Sequence, residues 1–148
     1  MGKEREKHIW IEDGIINYQV GDKSKWSVPL ANLEVVGEFT NPNGPLVDDY
    51  FLVFVTRPEH HWNAASFYAS ERDEFLTCLG EILGNKLTCS LANSTVYNSR
   101  VMWPSEIEGK QLFNLVPTEA KGFWKKIKHR LIPNCDLILA AEIRDFLK

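Results

Sequence analysis

The sequence predicts an α+β protein: antiparallel β-structure closed by an amphipathic helix, then a mixed C-terminal extension ending in two helices. Two observations carry that expectation. Ile9 and Ile11 alternate with polar or bulky neighbours before the step Asp13-Gly14, and Ile16, Tyr18 and Val20 alternate after it. A two-residue hairpin turn needs positive φ at both central positions, which Asp and Gly tolerate, so the pair reads as a β-hairpin. The other observation is the stretch 70–83, where Phe75, Leu76, Leu79, Ile82 and Leu83 form one stripe at helical spacing.

The remaining elements follow in order. Residues 21–25 read as a polar turn, Trp26 and Val28 open a third strand, and Pro29 interrupts it before 33–40 resumes an extended pattern. Asn41-Pro42-Asn43-Gly44-Pro45 is a loop, because proline and glycine punctuate it throughout. The run 49–56 is apolar at both parities and predicts a central strand covered on both faces. Residues 57–61 turn the chain into a further strand over 62–69. Ser70 offers a capping hydroxyl to the helix, Glu71, Asp73 and Glu74 suit the positive end of its dipole, and Gly84 suits its left-handed end. Beyond it, Leu87, Cys89 and Leu91 alternate in an extended pattern that continues through Thr95 and Tyr97 toward Trp103-Pro104. Ser105-Glu106-Ile107-Glu108 reads as one helical turn before Gly109, and 110–116 as a short strand. Helices are predicted over 118–131 and 136–147.

Composition bounds the class. With 148 residues, 44% hydrophobic and 25% charged, the chain is long enough and apolar enough to build a core without disulfides or metal. Seventeen basic and 20 acidic residues leave a net charge of −3, which argues against a nucleic-acid partner coating the surface. The longest apolar run, 50–55, falls far short of the ~20 residues of a membrane span. Residues 1–7 form a charged tail without an apolar stretch behind it, so no secretory signal is expected. Cys78, Cys89 and Cys135 are widely spaced with no CxxC pair, which predicts reduced thiols and a cytoplasmic protein. Asn93-Ser94-Thr95 matches the glycosylation pattern and is read as coincidence in that setting.

The hairpin Ile9-Trp10-Ile11-Glu12-Asp13-Gly14-Ile15-Ile16 is followed by Trp26-Ser27-Val28-Pro29-Leu30-Ala31-Asn32-Leu33-Glu34-Val35-Val36. Next come the strand Asp49-Tyr50-Phe51-Leu52-Val53-Phe54-Val55 and the closing segment Phe67-Tyr68-Ala69-Ser70-Glu71-Arg72-Asp73-Glu74-Phe75. In this order of elements residues 8–84 resemble a pleckstrin-homology-like (PH-like) domain of the bacterial type. The resemblance implies an antiparallel β-roll capped by the helix, and a binding module for peptides, proteins or lipid headgroups. Lipid-binding members carry Lys and Arg around the first hairpin loop, whereas this loop is the acidic Glu12-Asp13-Gly14. Residues 85–148 extend past the family's unit and are expected to pack on it as one structural unit.

No nucleotide-binding, nucleophile-elbow, zinc-protease or EF-hand motif is present, so the reading leans away from an enzyme and implies no cofactor. Glu59, His60 and His61 are the densest group of metal-ligand types, and would need a third or fourth ligand such as His8 to converge on them. As adjacent residues in a turn they read first as a solvated loop, and the alternative is a metal-binding protein or enzyme centred on them. Cys135 at the start of the predicted terminal helix, with His129 upstream, has nucleophile character on paper but no orienting partner. Cys78 and Cys89 read as core. Of the five tryptophans, Trp10 and Trp62 sit where alternation leaves their facing open, and an exposed one would mark an interaction surface.

The sharpest feature is 121–130, with five formal positive charges and no acid, which leaves 12 basic and 20 acidic residues elsewhere, a net of −8. Phe123, Trp124 and Ile127 share one side of the predicted helix, and Lys125, Lys126, Lys128 and Arg130 dress the rest. That composition suits ordinary packing with a solvated basic face, a protein partner, a second copy of the chain, an anionic membrane surface, or nucleic-acid phosphates. Phe123, Trp124, Lys125, Lys126, Lys128 and Arg130 are therefore the candidate partner-binding residues. The expected function is a non-catalytic interaction module for a protein or peptide partner, engaged by a sheet edge or by this surface. Peripheral membrane attachment through 118–131 is the alternative.

Overall fold

A computed structural model describes residues 6–41, 49–57, 59–91, 98–117 and 135–147. The helix expected over 118–131, with all six candidate partner-binding residues, lies outside the described residues, as do Thr95 and Tyr97.

The described elements make an α+β fold of antiparallel sheets and two helices. Strands β1 (Lys7–Glu12), β2 (Ile15–Val20) and β3 (Lys23–Pro29) form a three-stranded meander. Its first turn is the expected one: Glu12 pairs with Ile15, and Asp13 and Gly14 take φ of 52° and 74°. The expected polar turn at 21–25 is shorter than predicted, because β3 already begins at Lys23 and pairs it with Val20. A 3-10 turn, Leu30–Asn32, then leads into β4 (Leu33–Thr40), which pairs with β5 (Tyr50–Thr56). Strand β6 (His61–Ser66) pairs with β5, and β7 (Asn98–Trp103) pairs with β4, giving the sheet order β6-β5-β4-β7. Residues after the first helix thus complete the sheet that the first half begins.

That four-stranded sheet is covered on both faces, as the apolar run 49–56 predicts. Val36, Leu52, Phe54 and Met102 face the meander and helix α1 (Arg72–Leu83), with Ile9, Ile16, Phe75 and Leu79 opposite them. Val35, Phe39, Val53, Val55 and Val101 face the other way. They meet Leu112, just before β8 (Phe113–Pro117), with Phe113, Leu139 and Ile143 from the antiparallel pair of β8 and β9 (Cys135–Leu139) and from the terminal helix α2 (Ala141–Phe146).

Four local expectations are corrected. The strand predicted over 62–69 spans His61–Ser66. Helix α1 starts at Arg72 rather than Ser70: Ser70 donates its N–H to the Lys7 carbonyl and bridges His8, so β1 claims the residue the helix was to use as its cap. Glu71, at φ 68°, begins the helix without a side-chain cap, while Gly84 ends it in the left-handed conformation as expected. The helix predicted over 136–147 begins only at Ala141, because 135–139 is a strand paired with β8. An unbroken Leu-Ile-Leu run fits either period, and the partner strand decides it. Cys135 therefore opens a strand, and the helix-dipole argument for a nucleophilic thiol is gone. Cys78, read as core, is exposed on α1.

At Gly37 the strand β4 has no room for a side chain. A β-carbon there would lie 2.5 Å from Leu112 Cδ2 and 2.9 Å from the Arg100 carbonyl oxygen of β7. Gly37→Ala should therefore cost about 1–3 kcal/mol of unfolding free energy, measured by urea denaturation. A variant as stable as its parent would show that Leu112 and β7 retreat freely from β4.

Candidate functional site

The site begins with a carboxylate in an apolar sheet. Glu38 has the same strand parity as Val36, so it faces α1 and the meander, and it is fully buried. An unpaired buried charge costs several kcal/mol, so its oxygens must be met by donors. Arg100, its cross-strand partner on β7, donates from Nη1 at 2.9 Å. Tyr50 on β5, two residues along from Leu52 opposite Glu38, donates its hydroxyl. The remaining donors come from the extended chain after α1: the Ser90 N–H at 3.1 Å, the Ser90 hydroxyl at 3.3 Å and the Leu91 N–H at 3.3 Å. Arg100 also donates to the Thr88 carbonyl at 2.9 Å and pairs more loosely with Glu108 at 3.5 Å.

From this buried end an aromatic stack leads outward. Tyr50 and Phe67 lie parallel, with centroids 3.9 Å apart, and the Arg72 guanidinium sits 3.9 Å from the Phe67 centroid. Arg72 is fixed there by the Phe67 carbonyl at 2.8 Å and by Asp73 Oδ1 at 3.0–3.1 Å. Tyr50 is held protonated well above its ordinary range by burial first, then by its hydrogen bond to Glu38 and that carboxyl's charge. Burial pushes the Cys89 thiol up to about 11, with Glu38 adding to it and Tyr50, Arg72 and Arg100 opposing it. A thiol in that state is a neutral packing group at ordinary pH, not a thiolate nucleophile.

Arg72 and Cys89 open onto a groove of about 760 Å³ between α1 and the chain that returns along it. Phe67, Leu76 and Leu87 supply its apolar walls. Gly80 allows the return: just past the helix's C-terminal end, the Asn85 N–H donates to the Gly80 carbonyl, and a β-carbon on Gly80 would lie 2.8 Å from the Asn85 carbonyl oxygen. The alternation expected at Leu87, Cys89 and Leu91 is present as inward facing, but the segment belongs to no strand. Glu38 and Arg100 occupy the backbone positions a neighbouring strand would fill.

The other sequence candidates are placed apart from this groove. His60, at φ 57°, turns its Nδ1 to Glu34 Oε1 at 2.8 Å, while His61 Nε2 meets Glu59 Oε2 at 2.7 Å. His8 lies 3.5 Å from Glu6. The imidazoles are thus divided among three carboxylates, and no group of three or more His, Cys, Asp or Glu is gathered for a metal among the described residues. Trp10 is half-buried beside Glu12, and Trp62 is 37% exposed with its ring against Phe113.

Sheet edges are occupied at several points. On β6 the Trp26 indole N–H reaches the Ala64 carbonyl at 3.0 Å and the Ser66 N–H reaches the Tyr18 hydroxyl at 3.2 Å. On β7, Val101 exchanges backbone hydrogen bonds with Gly109 and Lys110, and β1 receives the Ser70 N–H at the Lys7 carbonyl. Strand β3 carries exposed Lys23, Lys25 and Pro29, residue types that discourage a further strand.

Two outcomes test the cluster. Glu38→Ala leaves Arg100 and two backbone N–H groups without their acceptor and should cost about 3–5 kcal/mol, against about 1–2 for Tyr50→Phe, by urea denaturation. Because the folded Cys89 thiol titrates above its unfolded value, its contribution is complete below pH 9 and fades as pH rises toward about 11. Alkylation followed by peptide mapping should find exposed Cys78 reacting readily at pH 8 and Cys89 only with a midpoint near 11. Equal rates at pH 8 would contradict the half-buried placement of Cys89. Compared with known proteins, the chain matches no family model, no curated protein and no solved structure.

Proposed function

We propose that the chain is a non-catalytic interaction module, built on a PH-like β-roll, that binds a protein or peptide partner in the groove beside α1. The element order supports the roll: a meander, three further antiparallel strands and one helix against β1. The observation that carries the binding reading is the groove itself. It is a concave, largely apolar surface of about 760 Å³ whose far wall is braced by a buried carboxylate. Concave apolar surfaces with a few fixed polar groups are where proteins usually take ligands. The edges of β6, β7 and β1 are partly filled by the protein's own groups, which favours the groove over strand addition there. The neutral Cys89 thiol and the divided histidines offer no assembled catalytic group at either place.

A displayed library of random peptides tests this. Peptides selected on the wild-type protein should lose at least about tenfold in affinity on Thr77→Trp and on Thr88→Trp, each of which fills the groove from an exposed position. Anionic vesicles and zinc serve as parallel arms on the same protein. A library that yields no groove-dependent binder, with vesicles or zinc bound instead, overturns the proposal.

A further inference from the structure

At one end of the groove the chain builds a stack of two rings and a guanidinium. Tyr50, held by Glu38, lies parallel to Phe67 with centroids 3.9 Å apart. The Arg72 guanidinium lies 3.9 Å from the same Phe67 centroid, so with Tyr50 on one face of that ring it takes the other. The Arg72 side chain stays 26% exposed and lines the groove. Phe67 covers the guanidinium from within, and the side turned from Phe67 is the one left for a ligand.

In its own plane Arg72 is already committed. Nη1 donates to the Phe67 carbonyl at 2.8 Å, and Nε and Nη2 both donate to Asp73 Oδ1 at 3.0–3.1 Å. The edge with which an arginine clamps a carboxylate or phosphate is thus occupied by the chain's own acid. Charge is balanced as well: Arg72 and Lys86 in the groove lining are matched by Asp73 and Glu81. What Arg72 retains is a flat cationic surface, which attracts the negative face of a π-system. An aliphatic group placed there would cover the remaining N–H groups and return nothing for the water it displaced. The surroundings suit a ring. Leu76 and Leu87 are apolar, Gly80 adds no side chain, and the neutral Cys89 thiol is a favourable neighbour for an aromatic edge.

We infer that the groove anchors its peptide partner by one neutral aromatic side chain, laid on the open side of Arg72 as the next layer on Tyr50, Phe67 and Arg72. This rests on the reading of the groove as the binding site, and it names the residue class that the site selects. Arg72 is fixed by Phe67 and Asp73 before binding, so little further order is lost when the ring arrives. An acidic anchor would meet Asp73 and Glu81 with Arg72 already engaged, and a basic one would face Arg72 itself.

The probes are the N-acetyl amides of phenylalanine, cyclohexylalanine, pentafluorophenylalanine and glutamate, titrated into uniformly labelled full-length protein and followed by NMR. The phenylalanine probe should move the Leu87 and Cys89 amides and shift the Arg72 Nε–H upfield, as a proton over a ring face shifts; Thr77→Trp should abolish all of these. Cyclohexylalanine keeps the size but loses the π face, and pentafluorophenylalanine inverts the ring quadrupole. Each should bind at least about threefold more weakly than phenylalanine, and glutamate at least about tenfold. A groove that is merely hydrophobic ranks cyclohexylalanine, the more apolar side chain, above phenylalanine. Arg72→Gln should erase the preference for phenylalanine, and the ligand series on the wild-type protein decides the matter where that variant does not fold. Cyclohexylalanine or pentafluorophenylalanine binding as tightly as phenylalanine overturns the inference, as does a phenylalanine probe that moves no groove amide. If library peptides without an aromatic residue bind in a Thr77-dependent way, the interaction module stands and only the aromatic anchor fails. If neither probes nor library peptides bind there, both fall.

Discussion

Most of what is particular to this molecule follows from placing Glu38 in the interior of a four-stranded sheet. A carboxylate at that position has no access to water, and its two oxygens need several donors at once. The fold supplies them from three separate stretches of chain: Tyr50 on β5, Arg100 on β7, and Ser90 and Leu91 after the helix. A leucine at 38 would pack against the sheet but would leave two backbone N–H groups without acceptors and take from Arg100 its buried carboxylate partner. The carboxylate therefore acts in place of a strand, holding an extended segment against a sheet with which it shares no ladder.

The same arrangement explains why the helix and the groove lie where they do. Layer contacts on both faces bury the sheet, so α1 can be spread across the meander side while β8, β9 and α2 cover the other. At the end of α1 the chain must reverse, and Gly80 and Gly84 let it do so within one turn. It then runs back at a distance set by Glu38 rather than by side chains of the helix. The gap that remains is the groove. Phe67, stacked on Tyr50 and covered by Arg72, ties the floor of that gap to the buried carboxylate.

Much of the fold was legible because it rests on short-range rules. The Asp13-Gly14 turn, the stripe of α1 with its Gly84 end, the two-sided strand at 50–56 and the single turn at 105–107 all depend on local residue patterns. The errors arose where a distant partner outvoted the local pattern. Ser70 has the chemistry of a helix cap, but β1 takes its backbone; Leu137-Ile138-Leu139 suits a helix, but β8 makes it a strand. The site was harder to read because its members are 12 to 62 positions apart in sequence. One signal was nonetheless present. Glu38 sits at the parity of Val36 in an apolar strand, and a carboxylate on a core face demands partners even before they can be named. Cys89 was read correctly as inward facing, but its place at the mouth of a groove depends on the reversal at Gly80.

Net stability is a weak explanation for such a cluster. Removing two charges from water offsets much of what their mutual attraction contributes, so a well-packed apolar substitute can be equally stable. Geometry is the stronger explanation. Glu38 and Arg100 hold the Thr88 carbonyl and the Ser90 and Leu91 N–H groups, and so fix the segment that walls the groove. A wall already held extended loses little further entropy when a ligand packs on it, and that loss is a large part of what weak peptide recognition must overcome. An apolar core at position 38 could stabilise the sheet, but the freed segment would then order itself only on binding. The buried carboxylate thus converts a loop without a strand partner into a fixed wall, and the groove inherits its shape from that wall.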